Sequence, residues 1–287
     1  MSESDIPDSP DSSDGATTPP PAEAHADTEL VSYTAADGVA TITLNRPTAM
    51  NSLNVAAKEQ LLAAVERARD EPSARAVLIT GTGKAFSAGQ DLREHADSLE
   101  AGTGLNGMVR SHYNPLVLSI ARMPKPVVAA VNGVAAGAGA ALAFACDFRI
   151  LSAKASFSLA FANIGLGADS GASWTLPRLV GHGRATELLM LSEPVPAERA
   201  LEIGLATRVV AHDELATAAR DFALQLAQGP TIAYAALKGE LTYGADLELE
   251  QALAMEADLQ DQCADTSDHR EATQAFLAKE KPTFRGR

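Results

Sequence analysis

Residues 125–150, KPVVAAVNGVAAGAGAALAFACDFRI, pass from an apolar, valine-rich run through a stretch of glycine and alanine into the start of a further strand, DFRILS, residues 147–152. The first run, KPVVAAVNG, has the continuous apolar character of a strand buried on both faces. The small-residue run VAAGAGAALAFA reads as a helix against which a ligand or a neighbouring backbone can approach closely. A strand, helix, strand succession implies a right-handed parallel crossover.

The same pattern extends upstream. RAVLIT, residues 75–80, reads as another buried strand, and a helix is predicted from Val55 to about Asp70, capped by Asn54, with Leu61, Leu62, Val65 and Ala68 on one face. Before it, ELVSYT and GVATITLN flank Ala-Asp-Gly, a turn signal between antiparallel strands. The sheet is therefore expected to be mostly parallel and covered by helices. After about Gly171 strand signals nearly vanish. ELLMLS, AERALEIG, ELATAARDFALQLA, IAYAALKGEL and LELEQALAMEADLQ all space their apolar residues as helices do, with TRVV as a short extended link.

Composition narrows the class. Residues 1–28 hold seven acidic residues, five prolines and no Lys or Arg, so they offer little to bury and are expected to form a disordered acidic tail. They carry about half of the formal net charge of −14, which disfavours nucleic acid and anionic membranes as partners. No run of apolar residues is long enough for a membrane span, and the start, MSESDIPDSP, lacks the features of a secretory signal. A cytoplasmic protein is expected. Cys146 and Cys263 match neither a zinc spacing nor a redox pair. His95, His112, His182, His212 and His269 are scattered without metal spacing, so no metal site is expected and none of them is given a role.

Two glycine-rich segments could carry chemistry. GTGKAFSAGQDL, residues 81–92, follows a predicted strand and can expose backbone amides, although Asp91 capping a short helix is the plainer reading. NGVAAGAGAAL, residues 132–142, lies where a buried strand gives way to a helix, whose first amides are unpaired and positively polarised. Neither has the spacing of a P-loop or of a dinucleotide fingerprint, and Ser87 and Ser170 lie in no GxSxG elbow.

Together with ITLNRPTAMNSLN (42–54), IGLGADSGASWTLPRLVG (164–181), ALEIGLATRVV (200–210) and FLAKEKPTF (276–284), these segments resemble the crotonase superfamily of enoyl-CoA hydratases and isomerases. The resemblance spans roughly residues 29–287 and is strongest, in GLxxDSGxSxxLPRLVG, toward the ring-1,2-epoxyphenylacetyl-CoA isomerase group. It implies an α/β fold, the ClpP/crotonase-like spiral of ββα repeats over residues 29–210. A helical C-terminal trimerisation region, residues 211–287, would follow. A homotrimer or dimer of trimers is implied, with no prosthetic group and coenzyme A entering as part of an acyl-CoA substrate.

Matched residue by residue, the family's oxyanion hole falls on the amides of Gln90 and Ala138. The CoA groove falls on Ala85, Phe86 and Ala88 beside Lys84, and Phe276 and Lys279 match positions that reach a neighbouring subunit's CoA, with a solvated, amphipathic final helix as the equal alternative. Lys84, Arg93, Lys279 and Lys281 are candidates for the basic patch that the CoA phosphates need. Thr48 stands where many hydratases carry a phosphate-binding lysine. The hydratases' two glutamates fall on Ala141 and Phe161, neither of which transfers protons. Asp169 matches the catalytic aspartate of isomerase and dehalogenase branches. Its plainer role would be to cap a helix starting near Ser170. An apolar pocket of Phe161, Leu166 and Trp174 would raise its pKa. Three functions remain open at this level: a 3-enoyl-CoA to 2-enoyl-CoA isomerase using Asp169, an enoyl-CoA hydratase, and a non-catalytic CoA-ligand binder.

Overall fold

The computed structural model describes residues 29–104 and 107–287; the acidic tail expected at residues 1–28 lies outside them. Strands β1 (Val31–Ala36) and β2 (Val39–Leu44) form the antiparallel hairpin, with Val31 opposite Leu44. Asp37 and Gly38 both have positive φ, 55° and 82°, which a two-residue turn of the primed kind requires. Asn54 caps helix α1 (Val55–Asp70) by accepting from the Ala57 N–H at 2.9 Å, and Leu61, Val65 and Ala68 are buried on one face. Lys125 closes the other end, its ammonium donating to the Ala68 and Glu71 carbonyls at 2.8 Å each.

Three turns of a spiral follow. The first comprises β3 (Ala76–Gly81), β4 (Ala85–Ser87), α2 (Leu92–Glu100) and α3 (Asn114–Ala121). The second comprises β5 (Val127–Val131), β6 (Val134–Ala136) and α4 (Ala138–Ala145). The third comprises β7 (Phe148–Ser152), β8 (Ser156–Ser158) and α5 (Ala172–Val180). Next come α6 (His182–Leu191), β9 (Val195–Pro196), α7 (Ala197–Glu202) and β10 (Arg208–Val210). The described chain ends in four helices: α8 (Leu215–Ala227), α9 (Thr231–Tyr243), α10 (Leu249–Ala264) and α11 (Ser267–Ala278).

Each turn places its first strand in one sheet and its second in another. The larger sheet has the order β1-β2-β3-β5-β7-β10, the smaller β4-β6-β8-β9. The larger is parallel apart from the hairpin, as the crossover pattern predicts. Two details differ from expectation. TRVV supplies an edge strand, because Arg208 to Val210 pair in parallel with Ile150 to Ser152. Within the small-residue run, Val134 to Ala136 pair with β4 and β8, and the helix starts only at Ala138, after Gly137 turns the backbone at φ 49°.

Helix α8 covers one face of the larger sheet, where Leu215, Phe222 and Leu226 pack on Val39, Leu78, Val128 and Ile150. A partly buried ionic contact ties α9 to the core: the Lys238 ammonium donates to Asp147 Oδ2 at 2.9 Å and to the Ile120 carbonyl at 3.1 Å. The same carboxylate oxygen accepts from the Val127 N–H.

Candidate active site

Strands β4 and β6 are parallel neighbours, so the chain leaves both at the same edge of the smaller sheet, where loops of α/β folds gather ligands. The two loops touch through their backbones. A Cβ on Gly89, whose φ is +80°, would lie 2.6 Å from the Ala136 oxygen and 3.1 Å from the Ala138 nitrogen. One on Gly139 would lie 2.3 Å from the Ser87 oxygen. Only glycine permits this approach at either place.

The hydrogen bonds of the loops account for some of their amides and not for others. The N–H groups of Ala88, Gly89, Asp91 and Gly137 donate to Met50 O, Ser87 Oγ, Leu53 O and Ser158 O. Those of Gln90 and Ala138 donate to nothing among the described residues. Ala138 opens α4, so its amide also stands at the positive end of the helix.

Both residues line one cavity, open to solvent, and Asp169 lines it with them. Its wall is largely apolar, with Leu92, Met108, Phe161, Ile164 and Leu166. Asp169 is half-buried, and burial raises its carboxyl above the ordinary carboxylate range, an effect that the Ser170 hydroxyl, donating to Oδ1 at 2.9 Å, partly opposes. Asp169 does not cap α5. The N-cap is Gly171, with no side-chain hydrogen bond to the helix, and Ser170 and Gly171 both sit at positive φ, 51° and 76°. A left-handed conformation at a serine is strained, and here it turns the chain directly after the carboxylate. The expected apolar surround is corrected in one member. Trp174 does not line the cavity but stacks under the Arg178 guanidinium, 3.8 Å from the ring centroid.

Behind the first loop lies a polar network with no counterpart in the sequence motifs. The Gln90 carboxamide oxygen accepts from the Tyr113 hydroxyl at 2.8 Å and from the Lys58 ammonium at 3.2 Å. Lys58 and Tyr113 are each 1% exposed, and Glu94 lies 3.6 Å from the ammonium. Burial lowers the pKa of Lys58, against the pull of Glu94. Burial, reinforced by the charge of Asp169, raises that of Tyr113. Tyr113 closes a π-helical turn, Val109–Tyr113, that runs into α3. Such turns are frequent at functional sites. The network pins the Gln90 side chain, and so the direction of its amide.

Asp91 braces the loop. Its Oδ1 accepts from the N–H groups of Arg93 and Glu94 as the cap of α2. Its Oδ2 accepts from Arg46 at 2.9 Å and Ser52 at 3.1 Å. Burial alone would raise its pKa, but these donors outweigh it and hold the carboxyl low.

Of the segment matched to a CoA groove, Ala88 opens on the cavity and Lys84 is exposed. Ala85 and Phe86 are buried in β4, and the Ala85 carbonyl already accepts from the Asn51 and Asn132 carboxamides. Phe276 is 81% exposed near the end of α11, Lys279 follows that helix, and neither lines the cavity of its own chain. Ala141 is fully buried in α4, while Phe161 forms part of the cavity wall. His95, to which the sequence assigned no role, is also on that wall. Among the described residues no cluster of His, Cys, Asp and Glu could hold a metal ion, and no helix is long and apolar enough to cross a membrane.

A ββα spiral that brings two free amides and a raised carboxyl to one apolar cavity defines the crotonase fold class. The chain belongs to the enoyl-CoA hydratase/isomerase family, whose sequence profile matches residues 34–287. It is 44% identical over 257 residues to a Rhodobacter capsulatus protein named probable enoyl-CoA hydratase, covering 90% of this chain and 98% of that one. It is 40% identical over 251 residues to the 1,2-epoxyphenylacetyl-CoA isomerase of Escherichia coli K12, covering 87% and 96%. The crystal structure of an enoyl-CoA hydratase from Bacillus anthracis superposes with a TM-score of 0.81 at 34% identity, covering 90% of this chain and all of that one.

Proposed function

We propose that this chain isomerises 3-enoyl-CoA to 2-enoyl-CoA with Asp169 as its single proton-transferring side chain. The observation that carries the proposal is Asp169 lining the same cavity as Gln90 and Ala138; by resemblance the hydratase glutamates fall on Ala141 and Phe161, which transfer no proton. The thioester oxygen lies against the two amides. Asp169 takes a proton from C2, the electron pair spreads over the oxygen and C4 as a dienolate, and Asp169 returns the proton at C4. The double bond moves into conjugation, and nothing is gained or lost.

Each donor to such an oxyanion contributes about 2.7 to 4 kcal/mol. A raised carboxyl pKa brings the base closer to its carbon acid and improves the transfer. Once an acyl chain fills the cavity, its apolar wall keeps water from protonating the dienolate in place of Asp169. Coenzyme A would run past Ala88 and Lys84, with Phe276 and Lys279 meeting the CoA of a neighbouring subunit in a trimer or dimer of trimers.

A hydratase reading is favoured by the names of several relatives, the Rhodobacter protein and the Bacillus anthracis structure among them. It would require Asp169 alone to activate water. Both readings are tested by supplying 3-enoyl-CoA and 2-enoyl-CoA to wild type and to Asp169→Asn, following conjugation by absorbance and water addition by mass. Isomerisation should fall about 10²- to 10⁴-fold in the variant, the usual worth of a positioned acid or base. Hydration by wild type that matches or exceeds isomerisation would overturn the proposal.

A further inference from the structure

His95 lies on α2 and faces the cavity among Leu92, Met108, Ile164 and Leu166. Its backbone N–H bonds to the Asp91 carbonyl at 3.0 Å, as an ordinary helical turn requires. Its imidazole makes no hydrogen bond to any described residue, and Nδ1 is buried without a partner. Buried polar atoms in folded proteins nearly always find a partner; Nδ1 has none, and Nε2, neither bonded nor buried, is the nitrogen that a group entering the cavity can reach. The ring does not serve the proton-transfer groups either: Asp169 is bonded to Ser170, and Gln90 is held by Tyr113 and Lys58. Apolar packing alone would have been met by leucine or methionine.

A plain hydrocarbon chain entering this cavity would displace water from the imidazole and return nothing. A group carrying oxygen would return a hydrogen bond. Neutral imidazole donates from one nitrogen and accepts at the other, so it can meet a hydroxyl in either sense and a carbonyl or ether oxygen as donor.

We propose that His95 determines specificity by hydrogen-bonding an oxygen on the acyl part of the substrate, so that the enzyme's substrates are oxygenated acyl thioesters rather than plain fatty ones. The proposal rests on the acyl-CoA reading of the cavity but not on isomerisation.

Binding separates the two. Titration calorimetry is run with a saturated acyl-CoA and its hydroxy and keto derivatives at each carbon beyond the β-position, on wild type, Asp169→Asn, His95→Leu and His95→Gln. At least one oxygenated member should bind wild type about tenfold or more tightly than the plain parent, the discrimination expected when a site is built around a polar group. Asp169→Asn should keep that preference. In His95→Leu it should collapse to within about twofold, whichever way the parent's own affinity moves, and His95→Gln should retain part of it. Equal binding across the panel in wild type, or a preference that survives in His95→Leu, overturns the proposal and leaves isomerisation standing. Failure of every acyl-CoA to bind overturns both.

Discussion

At the residue scale, Asp169 carries opposite demands. Burial raises its native pKa above the ordinary value of 3.8. The native state therefore holds this proton more tightly than the unfolded chain does, and the stability it contributes is present below the unfolded value and lost as pH rises through the native one. Activity runs the other way, because the base must be ionised. The acid limb of kcat/KM should accordingly lie above the usual carboxylate range, while the stability of wild type relative to Asp169→Asn declines over the same interval. Urea midpoints of the two proteins at acid and neutral pH check this: the variant should be the more stable at neutral pH, with its activity gone. A variant less stable than wild type at neutral pH would show that the carboxylate is not held at a cost. The residues behind this site differ in how far the sequence reveals them. Gln90, Ala138 and Asp169 stand in motifs fixed by glycine spacing, since a backbone site leaves its mark in the glycines that permit it. Lys58, Tyr113 and His95 come from helical segments whose spacing reports only a helix. Their meeting depends on how α1, α2 and the turn before α3 pack, which no local pattern encodes.

At the element scale, the oxyanion geometry is a contact between two loops, and its tolerance is set by Gly89. A methyl group there would meet the Ala136 oxygen at 2.6 Å on a residue whose φ is +80°. Gly89→Ala should push the loops apart and turn the Gln90 amide off target. With one donor lost, kcat should fall about 10²- to 10³-fold. Ala88 belongs to the same loop, so a smaller change in KM is expected alongside. The reading is checked by kinetics together with far-ultraviolet circular dichroism, where a native spectrum with unchanged kcat would remove the amide from the mechanism. Most elements were legible for plain reasons. The hairpin carries its turn residues, α1 its cap, β3 and β5 their apolar runs, and β7 an apolar run interrupted by Arg149. The strands of the smaller sheet were not. β4, β6 and β8 have three residues each, too short for any periodicity, and β6 is built from the same small residues as the helix after it. The edge strand β10 escaped for the same reason, since pairing with β7 decides its state rather than composition.

At the scale of the whole molecule, the last three helices leave a large apolar area exposed. Leu237 and Leu241 on α9, Leu249 and Leu253 on α10, and Phe276 and Leu277 on α11 are each more than half exposed, Leu241 at 78% and Leu277 at 77%. Such surfaces on a folded chain mark association, and helices that cannot bury a face within one chain bury it against another copy. The partly buried Lys238–Asp147 contact holds α9 to the core, so this face is presented in a fixed orientation. On the trimer or dimer of trimers proposed above, light scattering after size exclusion should find three or six chains together. Replacing Leu241 and Leu249 by glutamate together should yield monomer, because two charges cannot be buried unpaired in an apolar interface. The monomer tests a second point. If Phe276 and Lys279 serve the CoA of a neighbour, dissociation should raise KM for the thioester well beyond any fall in kcat, since the amides and Asp169 all belong to one chain. A monomer with unchanged KM would confine CoA recognition to the chain's own residues around Lys84 and Ala88. An association that survives both glutamates would move the interface away from α9 and α10.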